Sequence, residues 1–189
     1  MRLFVAVDIG DAVRAEVARA RATIQSQLEA VENSPRVAWV APASLHLTLR
    51  FLGEVADERA AALREALADP FDLGPFGVEW RGLGAFPLPR QPKALWLGVV
   101  SGAALLGRLE AEVSRRIDGA IDPDPHPFRP HLTIGRVKSP GAGFDWIKVL
   151  EDAEVRGVKS LVDHVTLYQS TLSAKGPQYT GLVKATLVR

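Results

Sequence analysis

Cysteine is absent from the 189 residues, and histidine occurs only four times. Without thiols the chain has no disulfide, no thiolate zinc site and no cysteine nucleophile, which fits a reducing compartment. Long apolar runs are missing too. The N-terminal "LFVAVDI" is broken by Asp8 and lacks both a charged leader and a small-residue cleavage site, so it does not read as a signal peptide. Nothing approaches the roughly 20 apolar residues of a membrane span. The expectation is a soluble, cytoplasmic protein with no membrane contact and, by default, a monomer. An excess of one charge is also lacking. The net charge is +1, so no chain-wide field attracts nucleic acid and any anion site must be local. No low-complexity segment, charge block or clear linker divides the chain. Its length and 47% apolar content suffice for a core without staples. By length, residues 1–189 are expected to form one domain, or two small lobes sharing a core.

Hydrophobic periodicity sets the elements. "RLFVAVDI" reads as a strand. Asp11 is placed to cap a helix whose apolar stripe is Val13, Val17, Ala20, Ile24, Leu28 and Val31. "RVAWV" and "SLHLTLRFLGEV" read as strands. Asp57 opens a second helix through Leu63 and Leu67 that stops before Pro70. "FGVEWRGLGAF" and "ALWLGVV" form a strand pair around the proline loop "PLPRQPK". Ser101 is placed to cap a third helix carrying Leu106, Leu109, Val113 and Ile117. The prolines of "DPDPHPFRP" exclude helix and central strand. Strand "HLTIGRV" follows, then a glycine-rich connection, a short helical piece near 145–151, and strands "DHVTLYQSTL" and "YTGLVKATLV" around the turn "SAKGPQ". Helices set between antiparallel-type strand pairs make the fold class α+β.

Two of the four histidines stand in the same context, "HLTL" at 46–49 and "HLTI" at 131–134. Strand side chains alternate, so Leu45, Leu47 and Leu49 face one way and His46, Thr48 and Arg50 the other. Leu132 and Ile134 likewise oppose His131 and Thr133. One copy is an ordinary exposed strand face. Two copies in a histidine-poor chain suggest an internal duplication with a pseudo-two-fold axis. Paired imidazoles suit acid–base chemistry, because histidine titrates near pH ~6.5. Opening a cyclic phosphodiester by in-line displacement needs a base on the attacking side and an acid on the leaving oxygen. Hydroxyls two residues on can hold the non-bridging oxygens.

"HLTLRFLGEV" and "HLTIGRV" resemble the two signature motifs of the 2H phosphoesterase superfamily, and most closely its RNA 2′,3′-cyclic phosphodiesterases, long called 2′-5′ RNA ligases. "RLFVAVDI", "GLGAFPLPRQPKALWLGV", "FRPHLTIGR" and "LYQSTLSAKGPQY" are similar to that branch in the expected order, so the resemblance spans essentially the whole chain. It implies a bilobal α+β fold of two pseudo-symmetric lobes around a central groove, with no metal and no cofactor. It implies hydrolysis of RNA 2′,3′-cyclic phosphate ends, tRNA halves among them, to a 2′-phosphate, with reversible 2′-5′ ligation as an associated activity. His46 would be the proton donor to the leaving O3′ and His131 the proton acceptor from water, the roles exchanging when the reaction runs backwards. Thr48 and Thr133 would bind the phosphate.

Further positions have two readings each. Phe51 lies at odd spacing from Thr48, which in a regular strand sends it to the leucine face and the core; the resemblance implies an aromatic that reaches the terminal base. Arg136 is either a bidentate phosphate ligand or a solvated arginine. Phe128 and Arg129, in the loop before His131, are candidates for base stacking and backbone contact. Arg90 and Lys93 read as exposed loop cations able to meet RNA, His126 and His164 as structural or surface histidines. Tyr179 matches the family tail without an assignable role. The competing functions are a metallohydrolase using His46, His131, His126 and an Asp, a non-catalytic RNA-end binding module, and a phosphodiesterase for another cyclic nucleotide or a 2′-5′ linkage. No H-x-H or H-x-x-x-H pair supports the first.

Overall fold

β-formers at the N-terminus make strand β1 (Arg2–Val7), buried from Leu3 onward. The computed structural model describes residues 1–87, 91–123, 125–139, 141, 144–173 and 176–189. After β1 come α1 (Gly10–Glu29), β2 (Arg36–Trp39), β3 (Leu47–Glu54), α2 (Asp57–Ala66) and the short β4 (Phe71–Asp72). β5 (Phe76–Phe86), β6 (Ala94–Ser101) and α3 (Ala103–Arg116) form the middle of the chain. β7 (His131–Ser139), α4 (Trp146–Asp152), β8 (Val158–Val162), β9 (His164–Ser173) and β10 (Gly176–Val188) complete it.

Two five-stranded sheets result, in the orders β3-β1-β9-β10-β4 and β2-β7-β6-β5-β8. Every pairing is antiparallel except β10 with β4. The halves repeat one plan. In each, a strand (β1 or β6) is followed by a helix (α1 or α3), and a later H-x-T strand (β3 or β7) returns antiparallel beside the first. The helices cross over: α1 packs on β8 of the second sheet, and α3 on β3 of the first. The buried cluster therefore runs without a break from Leu3, Val5 and Leu47 to Leu95, Leu97, Leu132 and Ile134. Burial of each such side chain contributes about 1.5–3 kcal/mol. Among the described residues no helix is long and apolar enough to cross a membrane.

Several local expectations are corrected. Gly10, at φ +73°, turns the chain into α1 two residues early, with Ile9 in the cap position. Asp11 therefore lies in the first turn, where it favours the helix's positive end and pairs with Arg14 at 3.8 Å, and it does not cap. Val31, beyond the helix end, is 47% exposed and leaves the buried stripe. Ser101 closes β6 instead of capping α3. Gly102, at φ +86°, holds the N-cap position, and a Cβ there would sit 2.7 Å from the Gly77 carbonyl oxygen. The strand expected from residue 44 begins at Leu47, because Pro42–Ser44 forms a 3-10 turn. Strands β4 and β8 add to the expected elements.

Arg116, at the end of α3, ties that helix to the edge of the first sheet. Its guanidinium lies 3.8 Å from the buried Phe71 ring centroid and donates to the Asp69 and Pro70 carbonyls at 2.6 and 2.7 Å. It also bonds Glu112 at 3.0 Å. Arg115, with Arg116 behind it, holds that carboxyl down at about 2. Arg116→Ala should lower unfolding stability by about 2 kcal/mol, as the loss of a desolvated cation–π contact and charged hydrogen bonds. Urea denaturation measures it, and a change below about 0.5 kcal/mol, the ordinary surface range, would contradict this account of the tie.

Candidate active site

Each repeated histidine is held the same way. His46 Nδ1 lies 2.7 Å from the carbonyl oxygen of Ser44, and His131 Nδ1 lies 2.7 Å from that of Arg129. A carbonyl only accepts, so in both rings Nδ1 carries the hydrogen and donates it. That leaves Nε2 as the nitrogen able to meet a ligand, an acceptor when the ring is neutral and a donor when it is charged. The local chain makes these bonds possible. Pro42 opens the turn that ends at Ser44, and Leu45 is extended at φ −70°, ψ 124°. Pro130 restricts Arg129 to extended conformations. In both places the carbonyl two residues back is aimed at the ring.

Bulges then set which side chains share the histidine face. In β3, Thr48 pairs with Ala6 but Arg50 with Val5, so Leu49 is an extra residue; a second shift falls at Leu52, and Phe51 pairs with Phe4. In β7, Thr133 pairs with Trp96 and Gly135 with Leu95, so Ile134 is extra, and Arg136 pairs with Ala94. Directly opposed residues project to the same face. Thr48 and Phe51 therefore share one face despite their odd spacing, as do His131, Thr133 and Arg136. The bulge after each H-x-T occupies the same motif position, making Phe51 and Arg136 counterparts. The two strands lie against each other where the sheets meet.

The surroundings of the two rings differ. His46 stacks on Phe4 at 4.7 Å and 28°, and Tyr179 meets it perpendicular, at 5.2 Å and 87°. Tyr168 stacks on Phe4 at 5.3 Å, and its hydroxyl donates to Asp8 at 3.4 Å. Asp8 also bonds His164 Nε2 at 2.9 Å, and Asp163 bonds the other nitrogen of that ring. His131 meets Phe86 at 5.3 Å and 88°, and Phe86 packs on Trp96. Trp96 in turn requires Gly84, where a Cβ would lie 2.2 Å from its ring.

The profile of the 2′-5′ RNA ligase superfamily matches residues 9–173. The chain belongs to this superfamily. It is 37% identical over 184 residues to an RNA 2′,3′-cyclic phosphodiesterase of Archaeoglobus fulgidus, covering 96% of this chain and 98% of that one. The crystal structure of TT0787 of Thermus thermophilus superposes with a TM-score of 0.74 at 32% identity, over 99% of this chain and 98% of that one. E. coli LigT, crystallised with 3′-AMP, gives a TM-score of 0.72 at 27% identity, over 100% and 98%. The bilobal α+β fold of this superfamily is the fold described above.

In this 2′-5′ RNA ligase superfamily member, His46, Thr48, His131 and Thr133 are all half-buried on the faces just defined. Phe51 is 60% exposed and 6.4 Å from Phe4; core packing is overturned, because the bulge at Leu49 reverses its face. The same bulge turns Arg50 inward, away from His46 and Thr48. There Nη2 donates to the Asp122 carbonyl at 2.8 Å, and the buried Nε has no partner among the described residues. Arg136 is exposed, and close enough for its charge to act on Tyr179. Phe128 packs against the core, Arg129 is exposed and serves His131 through its carbonyl, and Lys93 is exposed. Arg90 lies outside the described residues. His126 is exposed, while His164 is 13% exposed between its two carboxylates. Among the described residues no three His, Asp or Glu side chains gather to hold a metal. A cavity of about 510 Å³ between the end of α1 and α4 includes none of these residues.

Sequence reasoning missed the aromatic walls Phe4, Tyr168 and Phe86, and it named Tyr179 without a role. The apolar alternation of "RLFVAVDI" carried the signal for Phe4, but a strand apolar on both faces does not say which face meets the site.

Burial pushes the His46 imidazole below its ordinary 6.5; the Ser44 carbonyl and the Asp8 charge oppose this, and the Arg14 charge adds to it. The folded value thus lies under the unfolded one. The His46 contribution to stability is present above pH 6.5 and is lost as pH falls through the folded value. An NMR titration of the ring should show a midpoint below 6.5; a midpoint at or above it would mean that burial does not dominate.

Proposed function

We propose that the protein is an RNA 2′,3′-cyclic phosphodiesterase that opens the terminal cyclic phosphate to a 2′-phosphate. The observation that carries this reading is the duplicated histidine clamp: two Nδ1–H rings, each with a threonine on its face, on strands that adjoin. Membership of the superfamily and likeness to relatives named for this activity support it. Water attacks phosphorus and loses its proton to His131 Nε2; the P–O3′ bond breaks, and O3′ takes the proton from His46 Nε2–H. The Thr48 and Thr133 hydroxyls and the Arg136 guanidinium bind the non-bridging oxygens as charge gathers there. Phe51, exposed beside Phe4, offers a face to the terminal base, and Arg129, with Phe128 behind it, meets the RNA backbone. With a 5′-hydroxyl in place of water the same steps form a 2′-5′ linkage. Both histidines come from one chain, so a monomer suffices, and RNA ends of this kind, such as tRNA halves, place the reaction in the cytoplasm.

One observation favours a second assignment of the roles. Burial lowers the His46 proton affinity, which suits a resting base. On the first assignment the substrate's own phosphate charge restores that affinity when it binds. A cyclic phosphate with sulfur in place of O3′ separates the two, because a thiolate leaves without a proton. Activity of His46→Ala on the thio substrate but not on the oxygen substrate identifies His46 as the acid. Rescue of His131→Ala alone would reverse the roles.

The function is tested by product analysis with an oligonucleotide ending in a 2′,3′-cyclic phosphate, with and without EDTA. Wild type should yield the 2′-phosphate in both, and His46→Ala or His131→Ala should each lose about 10²–10⁴-fold in rate. Thr48→Val should cost about 2–4 kcal/mol of transition-state stabilisation. Undiminished turnover in either histidine variant, or loss in EDTA restored by zinc, would overturn the mechanism.

A further inference from the structure

The chain has two tyrosines, and both project from the histidine face of the first sheet. Tyr168 pairs with Phe4, and its hydroxyl is committed within the protein to Asp8. Tyr179 is different. Its ring stands edge-on to Phe4 at 5.0 Å and to His46 at 5.2 Å. No hydrogen bond of its hydroxyl is found among the described residues, and that oxygen is not one of the buried polar atoms lacking a partner, so it opens to solvent. The charges acting on it are two guanidiniums, Arg136 from the other sheet and Arg2 from the start of β1. A phenol set edge-on to an imidazole, unengaged among the described residues and within the field of two cations, is a donor suited to an anion.

We propose that Tyr179 is a further substrate-contacting residue, whose hydroxyl donates a hydrogen bond to a non-bridging oxygen of the phosphate seated against His46. The proposal rests on reading this face as the cyclic-phosphate site. Ring and hydroxyl have separable tasks. The ring walls His46 from water, together with Phe4. The hydroxyl adds a further donor to those of Thr48, Thr133 and Arg136, and burial pushes its pKa up from 10.0, so it keeps its proton wherever the histidines work.

Tyr179→Phe and Tyr179→Ala test this, with cyclic-phosphate oligonucleotide kinetics, binding of inorganic phosphate, thermal unfolding and the His46 NMR titration as readouts. Because the hydroxyl has no partner among the described residues, Tyr179→Phe should keep the unfolding midpoint and the His46 titration of wild type. It should lose about 10–100-fold in kcat/KM, as for one donor to a charged oxygen, and should bind inorganic phosphate more weakly. Tyr179→Ala should show that loss and, with the imidazole less buried, a His46 midpoint moved up toward 6.5. Wild-type kcat/KM and phosphate affinity in Tyr179→Phe would overturn the proposal, as would a loss accompanied by a lower unfolding midpoint. If wild type leaves the cyclic end intact, the function reading fails, and the phosphate-binding arm alone decides Tyr179.

Discussion

A backbone carbonyl holds the imidazole of each H-x-T motif by Nδ1. Ser44 does this for His46 and Arg129 for His131, at the same 2.7 Å. The bond fixes the tautomer, limits the rotation of the ring and commits Nε2 to whatever stands in front of it. Side-chain carboxylates do the same in many acid–base sites, but a carboxylate brings a full charge that raises the proton affinity of the ring. A carbonyl orients with less of that bias, which suits the proposed mechanism, in which the two rings need opposite protonation states within one reaction.

The rest of the fold serves that pair of bonds. Proline-directed turns deliver the two carbonyls. Buried leucines and isoleucine on the opposite faces of β3 and β7 anchor the strands in the continuous core. A bulge one residue after each threonine brings the position three residues on back to the histidine face. That position holds an exposed aromatic in the first copy and an exposed guanidinium in the second, so one duplicated scaffold presents a flat ring on one side and a cation on the other. The crossover of α1 and α3 between the sheets ties the copies together, so the H-x-T strands cannot separate without opening the core.

Much of this was legible in the sequence because hydrophobic period and turn residues report on burial and punctuation. The long helices, the main strands and the doubled H-x-T pattern follow from them. What stayed hidden depends on register and on three-dimensional neighbours. Strict alternation sends Phe51 to the core and Arg50 to the site, and one inserted residue, Leu49, reverses both. Asp11 and Ser101 look like caps, but Gly10 and Gly102 reach positive φ and shift the helix starts. β8 has little alternation of its own and is a strand because β5 pairs with it. Tyr179 lies 133 positions after His46, and only the pairing of β10 with β9 and β9 with β1 brings it to the ring.

The carbonyl clamp is most directly examined through the imidazole nitrogens themselves. Long-range ¹H–¹⁵N correlation spectra, recorded at about pH 9 where ordinary histidines are neutral, report which nitrogen carries the hydrogen. The account predicts that His46 and His131 both hold it on Nδ1, leaving Nε2 bare. An Nε2–H tautomer, or an averaged mixture, at either ring would contradict it.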